Sequence, residues 1–305
     1  MKNPKITVFT PTYNRAYILH QCYEALKRQT NKNFIWLIID DGSTDNTEEL
    51  VENWTKEKIL NIHYHKQRNL GMHGAHNTAH QLLETELCIG CDSDDYLMDD
   101  CIEKVLKMWD EKGTKEHSGI IGLCANTNNR VWAPIPKELT ETKLYDLRFK
   151  YKIRGDFKFA LRSDLLKKEP YPLFEDENYV AVGYKYFKID QKHKMLVLND
   201  ILCCQEYIAD GEVTNKLKRY VTAPKGYMVY RSVMMPLMHS FKERWWQATH
   251  YVSSAIFAKE RNFIKKSPSK FTTITAIPSG LSLYFYIKYK YKKKINLDNQ
   301  KNVGI

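Results

Sequence analysis

Residues 87–95 read L-C-I-G-C-D-S-D-D, a short apolar run that ends in three carboxylates, Asp92, Asp94 and Asp95. Like charges at this density repel one another and gain nothing from burial, so such a stretch ordinarily holds a cation. In extended backbone, residues two apart share a face, which turns Asp92 and Asp94 towards one ligand. An acidic turn capping the next helix would account for the same letters. The flanking sequence discriminates between these readings.

Apolar runs at 5–9, 34–39 and 59–65 precede this one, and another at 119–125 follows it. Between them the apolar residues take up helical spacing. Ile18, Leu19, Cys22, Ala25 and Leu26 recur through 17–29, and Leu50, Val51 and Trp54 follow Asp45 and Glu48, which are spaced as a capping box. Ala75, Ala79, Leu82 and Leu83 mark a third helix over 74–84, and Ile102, Val105, Leu106 and Trp109 a fourth behind Asp99 and Asp100. Alternating strands and helices predict an α/β fold with a mostly parallel, Rossmann-like sheet flanked by helices. Ligands of such sheets bind beyond the carboxyl ends of the strands. The polar segments 10–15, 40–43, 68–71 and 92–95 all fall at those ends and are expected to converge on one rim. A helix cap predicts no such convergence, so the ligand-holding reading leads.

Bulk properties narrow the chemistry. With 305 residues, 43% hydrophobic content and a net charge of +11, the chain is an ordinary folded protein with a basic balance that suits an anionic partner. Its lysines and arginines are spread along the chain and concentrate beside an apolar C-terminal run, which disfavours nucleic acid. Seven cysteines, an odd number without framework spacing, fit the reducing cytoplasm. Cys88 and Cys91 lack a second pair to complete a zinc site and read as core or surface residues. Residues 1–5 lead straight into a strand, with no signal peptide in view. Neither G-x-G-x-x-G nor G-x-x-x-x-G-K-[ST] occurs, which argues against a dinucleotide dehydrogenase and a P-loop NTPase. A carboxylate pair holding Mg²⁺ or Mn²⁺ against a diphosphate needs no glycine loop. His73, His76 and His80 fall at i, i+3 and i+7, but H-N-T-A-H lacks the glutamate of a zinc hydrolase. They are expected on the helix surface or facing a nucleotide.

Beyond residue 126 the pattern loosens. Residues 154–157 precede a short run, 163–168 form a helical turn, and Glu175-Asp176-Glu177 make a second acidic cluster. From about 215 the composition shifts to Met-rich and aromatic helix. The apolar run 274–287 leads into K-Y-K-Y-K-K-K at 288–294. At ~1.5 Å per helical residue that run spans about 21 Å, short of the ~30 Å hydrocarbon core, so it should not cross a bilayer. Peripheral contact with an anionic membrane suits it, as does packing on the domain with a solvated basic tail. The expected division is a sheet domain over 1–215, with a nucleotide-binding half to about 125 and an acceptor half over 126–215, and a helical basic-aromatic region over 216–305.

At this point the residues carry a resemblance. T-P-T-Y-N-R at 10–15, I-I-D-D-G-S-T-D at 38–45, N-L-G at 69–71 and D-S-D-D at 92–95 appear in the order typical of family 2 glycosyltransferases, which have the GT-A fold. A weaker match continues through R-G-D at 154–156, L-R-S-D-L-L at 161–166 and F-E-D-E at 174–177 towards Tyr207 and Gly211. The resemblance implies that Pro11, Thr12 and Tyr13 line the base and ribose of a nucleotide sugar. Asp41 would accept a hydrogen bond from the base, Asp40 would shape its loop, and Arg68 would contact the nucleotide. Asp92 would reach the ribose or a metal-bound water, and Asp94 would ligate Mn²⁺ or Mg²⁺. An inverting transfer also needs a carboxylate by the acceptor hydroxyl, and Asp176 and Glu177 are the candidates. Three adjacent acids are expected to raise one another's pKa.

The implied activity moves a sugar from a nucleotide-diphosphate sugar, a UDP-sugar foremost, to a glycan or lipid-linked acceptor in cell-surface polysaccharide assembly. It is expected in the cytoplasm or at the inner membrane face. Two departures stand out: Ala75-His76-Asn77 replaces a common Ala-Arg-Asn, and Val182 stands where relatives often have Glu. The competing readings are a nucleotidyltransferase, which should carry a Lys- and Gly-rich phosphate loop, and a non-catalytic sugar-nucleotide-binding or membrane scaffold, suggested by Val182.

Overall fold

A computed structural model of the chain describes residues 4–205 and 216–302. Tyr207 and Gly211 therefore lie outside the described residues. The chain divides into two compact units, one of residues 1–171 with 185–208 and one of 172–184 with 209–305. Residues 172–184, assigned to the sheet domain from sequence, thus group with the C-terminal helices.

The first unit is a sheet with helices. Its opening strands are β1 (Ile6–Thr12), β2 (Phe34–Asp40), β3 (Ile62–Lys66) and β4 (Leu87–Gly90). They alternate with α1 (Ala16–Arg28), α2 (Thr47–Glu57) and α3 (Gly71–Leu82). β1 pairs in parallel with both β2 and β4, and β2 with β3. All seven residues of β2 are buried, as an almost wholly apolar central strand requires. Tyr23 of α1 and Trp54 of α2 stack with its Trp36, with centroids 4.4 Å apart for Tyr23–Trp54 and 5.8 Å for Trp36–Trp54. This packing fixes α1 and α2 on the sheet and so fixes the loops that leave β1 and β2.

The later strands follow a different plan. β5 (Asp95–Leu97), α4 (Cys101–Lys112), β6 (His117–Ala125), β7 (Glu141–Thr142), β8 (Phe157–Arg162), α5 (Ser163–Lys168), α6 (Gly183–Asp190) and β9 (Lys194–Gln205) come next in the chain. The sheet order is β3-β2-β1-β4-β8-β6-β9-β5, with β7 on β9. β8, the short run after 154–157, inserts antiparallel between β4 and β6. β6 and β9 are parallel, while β5 and β7 pair antiparallel with β9. All seven cysteines are buried and free, which settles them as core residues.

From residue 216 the second unit is helical: α7 (Lys216–Thr222), α8 (Pro224–Leu237), α9 (Phe241–Phe257), α10 (Phe263–Lys266), α11 (Lys270–Thr275) and α12 (Ile277–Asn302). α9 opens with a capping box between Ser240 and Glu243. Met228, Met235, Ala248, Tyr251, Val252, Ala255 and Ala276 make its core. No helix among the described residues is long and apolar enough to cross a membrane.

Candidate active site

Four loops at the carboxyl ends of β1–β4 are tied together by side chains. After β1, Asn14 takes a left-handed conformation (φ 52°) and bridges to the loop after β2. Its amide donates to Ser43 Oγ at 2.9 Å, and its Oδ1 accepts from the Thr44 amide at 2.8 Å. The backbone amide of Asp41 donates to the Thr12 carbonyl at 2.8 Å. Asp45, whose spacing suggests a reciprocal capping box with Glu48, instead accepts from the Ala16 amide through Oδ2 and from Thr47 through Oδ1. It joins the starts of α1 and α2, and Glu48 pairs with Lys66.

Asp40 and Asp41 divide their work. Asp40 is buried; Oδ1 accepts from the Ser43 amide at 2.7 Å and Oδ2 from the Tyr64 hydroxyl at 2.5 Å. Asp41 reaches the loop after β3, where Oδ1 accepts from Gln67 Nε2 at 2.6 Å and from the Leu70 amide at 2.9 Å. Burial lifts its carboxyl above the ordinary range, against the pull of those hydrogen bonds. Between the two loops lies Gly42, at φ 86°, where an added Cβ would come within 3.1 Å of the Asn69 nitrogen and 3.2 Å of the Gln67 oxygen. Only glycine suits that approach. Arg68 is exposed on the same loop, Tyr13 is exposed, Pro11 is half-buried, and Thr12 Oγ1 is buried with no hydrogen-bond partner.

The D-S-D-D segment is a turn, not extended backbone: the Asp95 amide donates to the Asp92 carbonyl at 2.9 Å. Each of its acids has a different environment. Asp94 accepts from Arg15 Nη1 at 2.9 Å, and Ser93 Oγ lies 3.5 Å from the same nitrogen. Asp92 is exposed as a residue, so the upward shift of its carboxyl is set by burial and by its charged neighbours alike. Desolvation, then the charges of Asp95 and Asp94, push it up to about 7 against Lys158 and Arg15. Asp95 is buried, with Oδ2 3.4 Å from Lys158 Nζ and 3.0 Å from Gln205 Nε2. Lys158 also donates to the Gly90 carbonyl at 3.1 Å, so the pair anchors the turn to β4 and β8. Sequence reasoning missed Lys158 and Gln205, which carry no local motif.

Among the described residues no three metal-ligating side chains come together. The turn offers two carboxylates, Asp92 and Asp94. That donor set fits a hard divalent cation only where diphosphate and water oxygens complete its shell, the usual arrangement for Mg²⁺.

The histidines are buried, which overturns the first of their two expected placements, the helix surface. His76 packs edge-on against Phe9 at 4.9 Å, and neither of its ring nitrogens has a hydrogen-bond partner. Burial, with the nearby Lys185 charge, lowers its pKa to about 3. His80 Nδ1 lies 2.6 Å from Lys185 Nζ, itself fully buried. Asn77, beside the departure at His76, clamps the Tyr171 backbone with two 2.8 Å hydrogen bonds.

Asp176 and Glu177 belong to the second unit. Glu177 is buried, and its two oxygens accept from the Lys225 and Gly226 amides, each at 2.9 Å, in the first turn of α8. Asp176 is exposed and grips Lys225 Nζ, with Oδ2 at 2.7 Å. Their pKa values move apart. Lys225 holds the Asp176 carboxyl below the usual range, while burial raises Glu177. The expected mutual elevation among three adjacent acids therefore does not reach Asp176.

A parallel strand rim bearing these loops, continued by an antiparallel insertion, defines a GT-A-type glycosyltransferase fold. Residues 7–168 match the glycosyl transferase family 2 model, and the chain belongs to that family. Among curated relatives it is 34% identical to glycosyltransferase GlyA of Streptococcus pneumoniae over 103 residues, 34% of this chain and 15% of that one. It is 26% identical to an uncharacterized glycosyltransferase of Haemophilus influenzae over 188 residues, 61% of this chain and 72% of that one. The chain thus spans only a small part of the first of these relatives. Among solved structures, S. aureus TarS 1–349 in complex with UDP-GlcNAc superposes with a TM-score of 0.63 at 20% identity, covering 95% of this chain and 92% of that one. A Pyrobaculum calidifontis mannosyltransferase in complex with GDP-Man and Mn²⁺ gives 0.56 at 15% identity, covering 92% and 88%. Both likenesses concern the fold.

Proposed function

We propose that this protein is a metal-dependent, inverting glycosyltransferase. It transfers a sugar from a UDP-sugar to a hydroxyl of a glycan or lipid-linked acceptor in cell-surface polysaccharide assembly, working from the cytoplasmic side. The observation that carries this reading is the convergence of the strand-end loops through Asn14–Ser43, Asp41–Leu70 and Arg15–Asp94. Family membership and the nucleotide-sugar complexes of TarS and the mannosyltransferase support it.

In this reading the β1 end receives the nucleoside: Pro11 and Tyr13 flank it, and the unpartnered Thr12 hydroxyl offers it a hydrogen bond. Asp41 positions the base-facing loop while Asp40 braces it, and exposed Arg68 meets the nucleotide. Asp94 is assigned as the cation ligand and Asp92 as the ribose- or water-facing acid. The chemistry supplied by a bound Mn²⁺ or Mg²⁺ is Lewis-acid compensation of the charge left on the diphosphate. Arg15 stands beside Asp94 as a further cation for that charge. Of the two candidate bases we assign proton acceptance to Asp176, because it is exposed and held by the Lys225 side chain, whereas both Glu177 oxygens are fixed by the α8 backbone.

The test is to incubate the protein with a panel of nucleotide sugars and Mn²⁺ and follow nucleotide release with and without EDTA. EDTA-sensitive release from one or a few donors, lost in Asp94→Asn, is expected. Binding without any release, unchanged by Asp94→Asn, would overturn the proposal.

A further inference from the structure

α12 turns one face to α9 and the other to solvent, and the solvent face mixes large apolar residues with lysines. On its inner side Gly280 sits so close to α9 that an added Cβ would meet the Val252 side chain at 2.5 Å and the Thr249 oxygen at 3.2 Å. Ile287 is also buried on that side. On its outer side Leu281, Phe285 and Tyr289 follow one another at i, i+4 and i+8, a spacing that places them on one stripe. They are 41%, 62% and 64% exposed. A helix with half its surface already satisfied gains nothing by holding three large apolar groups in water.

The charge around the stripe identifies what covers it. Lys288, Lys292 and Lys293 are exposed beside it, and residues 277–293 contain no Asp or Glu. Isologous pairing of two copies through this face would bring the lysines of each towards those of the other, an unfavourable arrangement. Lipid headgroups of negative charge satisfy both features. The apolar stripe enters the acyl boundary, the tyrosine hydroxyl stays at headgroup depth, and the lysine stems reach back to phosphate. We propose that the outer face of α12 is a membrane-docking surface that lies on an anionic bilayer without crossing it. The proposal is independent of the transfer chemistry.

Vesicle flotation tests it with the full chain, using phosphatidylcholine vesicles with and without an equal part of phosphatidylglycerol. The wild type is expected to float with the anionic vesicles, less so as salt is raised, and to stay behind with the neutral ones. Replacing Leu281, Phe285 and Tyr289 together by Ser should weaken partitioning about tenfold or more, and Lys288→Gln with Lys292→Gln should weaken it and blunt the salt dependence. Because all five positions are exposed, the melting curves of both variants should overlay the wild type. The lysine pair is the second probe should the triple variant fail to fold. Wild-type protein that does not float, or variants that float equally, would overturn the proposal. So would a wild-type dimer that Leu281→Ser with Phe285→Ser converts to monomer, since a second copy would then cover the stripe.

Discussion

Arg15 and Asp94 form an ion pair, Nη1 to Oδ2 at 2.9 Å, that joins the end of the first strand's loop to the acidic turn behind the fourth. Both groups are partly screened from water. Asp94 therefore does not wait as a bare charge for a cation. Arg15 neutralises it, and in the proposed reading a cation held by Asp94 would leave the guanidinium free to meet a phosphate oxygen.

Asp94→Asn should abolish the Mn²⁺ dependence of UDP binding, whereas Arg15→Gln should keep it and weaken UDP affinity by about tenfold or more, the scale of one charge-assisted hydrogen bond. Calorimetric titration with UDP, with and without Mn²⁺, separates the two. Unchanged affinity in Arg15→Gln would show that the ion pair serves only to hold the turn.

The acidic segment before α6 should divide its roles by residue. Asp176→Asn is expected to lower kcat by at least about a hundredfold with little change in donor binding, as loss of a general base does. Glu177→Gln should retain most activity, because an amide oxygen can still accept from one α8 amide. Glu177→Ala should cost stability, about 1–2 kcal/mol, as loss of a helix N-terminal partner does. Steady-state kinetics alongside urea denaturation reads both. A Glu177→Gln protein as inactive as Asp176→Asn would return the base to Glu177.

What the sequence displayed was local. The four strand-end loops were legible because periodicity and polar punctuation are properties of neighbouring residues, and the family motifs sit within them. Partners supplied from afar were not. Lys158 reaches Asp95 across 63 positions and Gln205 across 110, and neither stands in a motif. β8 could not be placed between β4 and β6, because strand order is a long-range choice that a short apolar run does not encode. Glu177 reads from sequence as a candidate base equal to Asp176, and nothing near it announces the amides of α8, 48 and 49 positions later, that occupy it. The histidines of α3 did carry a signal: i, i+3 and i+7 is the spacing of a buried stripe, outweighed in the reading by their polarity.

Gly42→Ala tests whether the loops after β2 and β3 must touch. A methyl group there faces strain from the positive φ and from backbone atoms that cannot yield as a flexible side chain does. The expected cost is about 1–2 kcal/mol in urea denaturation, with a several-fold loss of UDP affinity as the Asp41 contacts to 67–70 loosen. A stable variant that binds UDP normally would show that the contact is dispensable for the site.

Lys185 makes stability pH-dependent, and the sign can be worked out. Burial lowers its pKa from 10.5 to about 7, with Cys88 and Glu169 opposing, while its amine keeps His80 Nδ1 at 2.6 Å and the Leu166 carbonyl at 3.3 Å. Between about 7 and 10.5 the unfolded chain binds this proton and the folded chain does not, so stability rises with pH through that window. Below about 7 the folded protein carries the full penalty of a buried ammonium, on the order of 5 kcal/mol. Lys185→Met removes the penalty but leaves His80 Nδ1 without its partner, which returns about 1–3 kcal/mol. The variant should therefore be the more stable protein at pH 6, the difference should shrink and reverse towards pH 10, and its stability curve between those values should be flatter. Urea denaturation across that range measures it. A wild-type curve that falls from pH 7 to pH 10 would mean that the buried lysine stays charged in the folded protein.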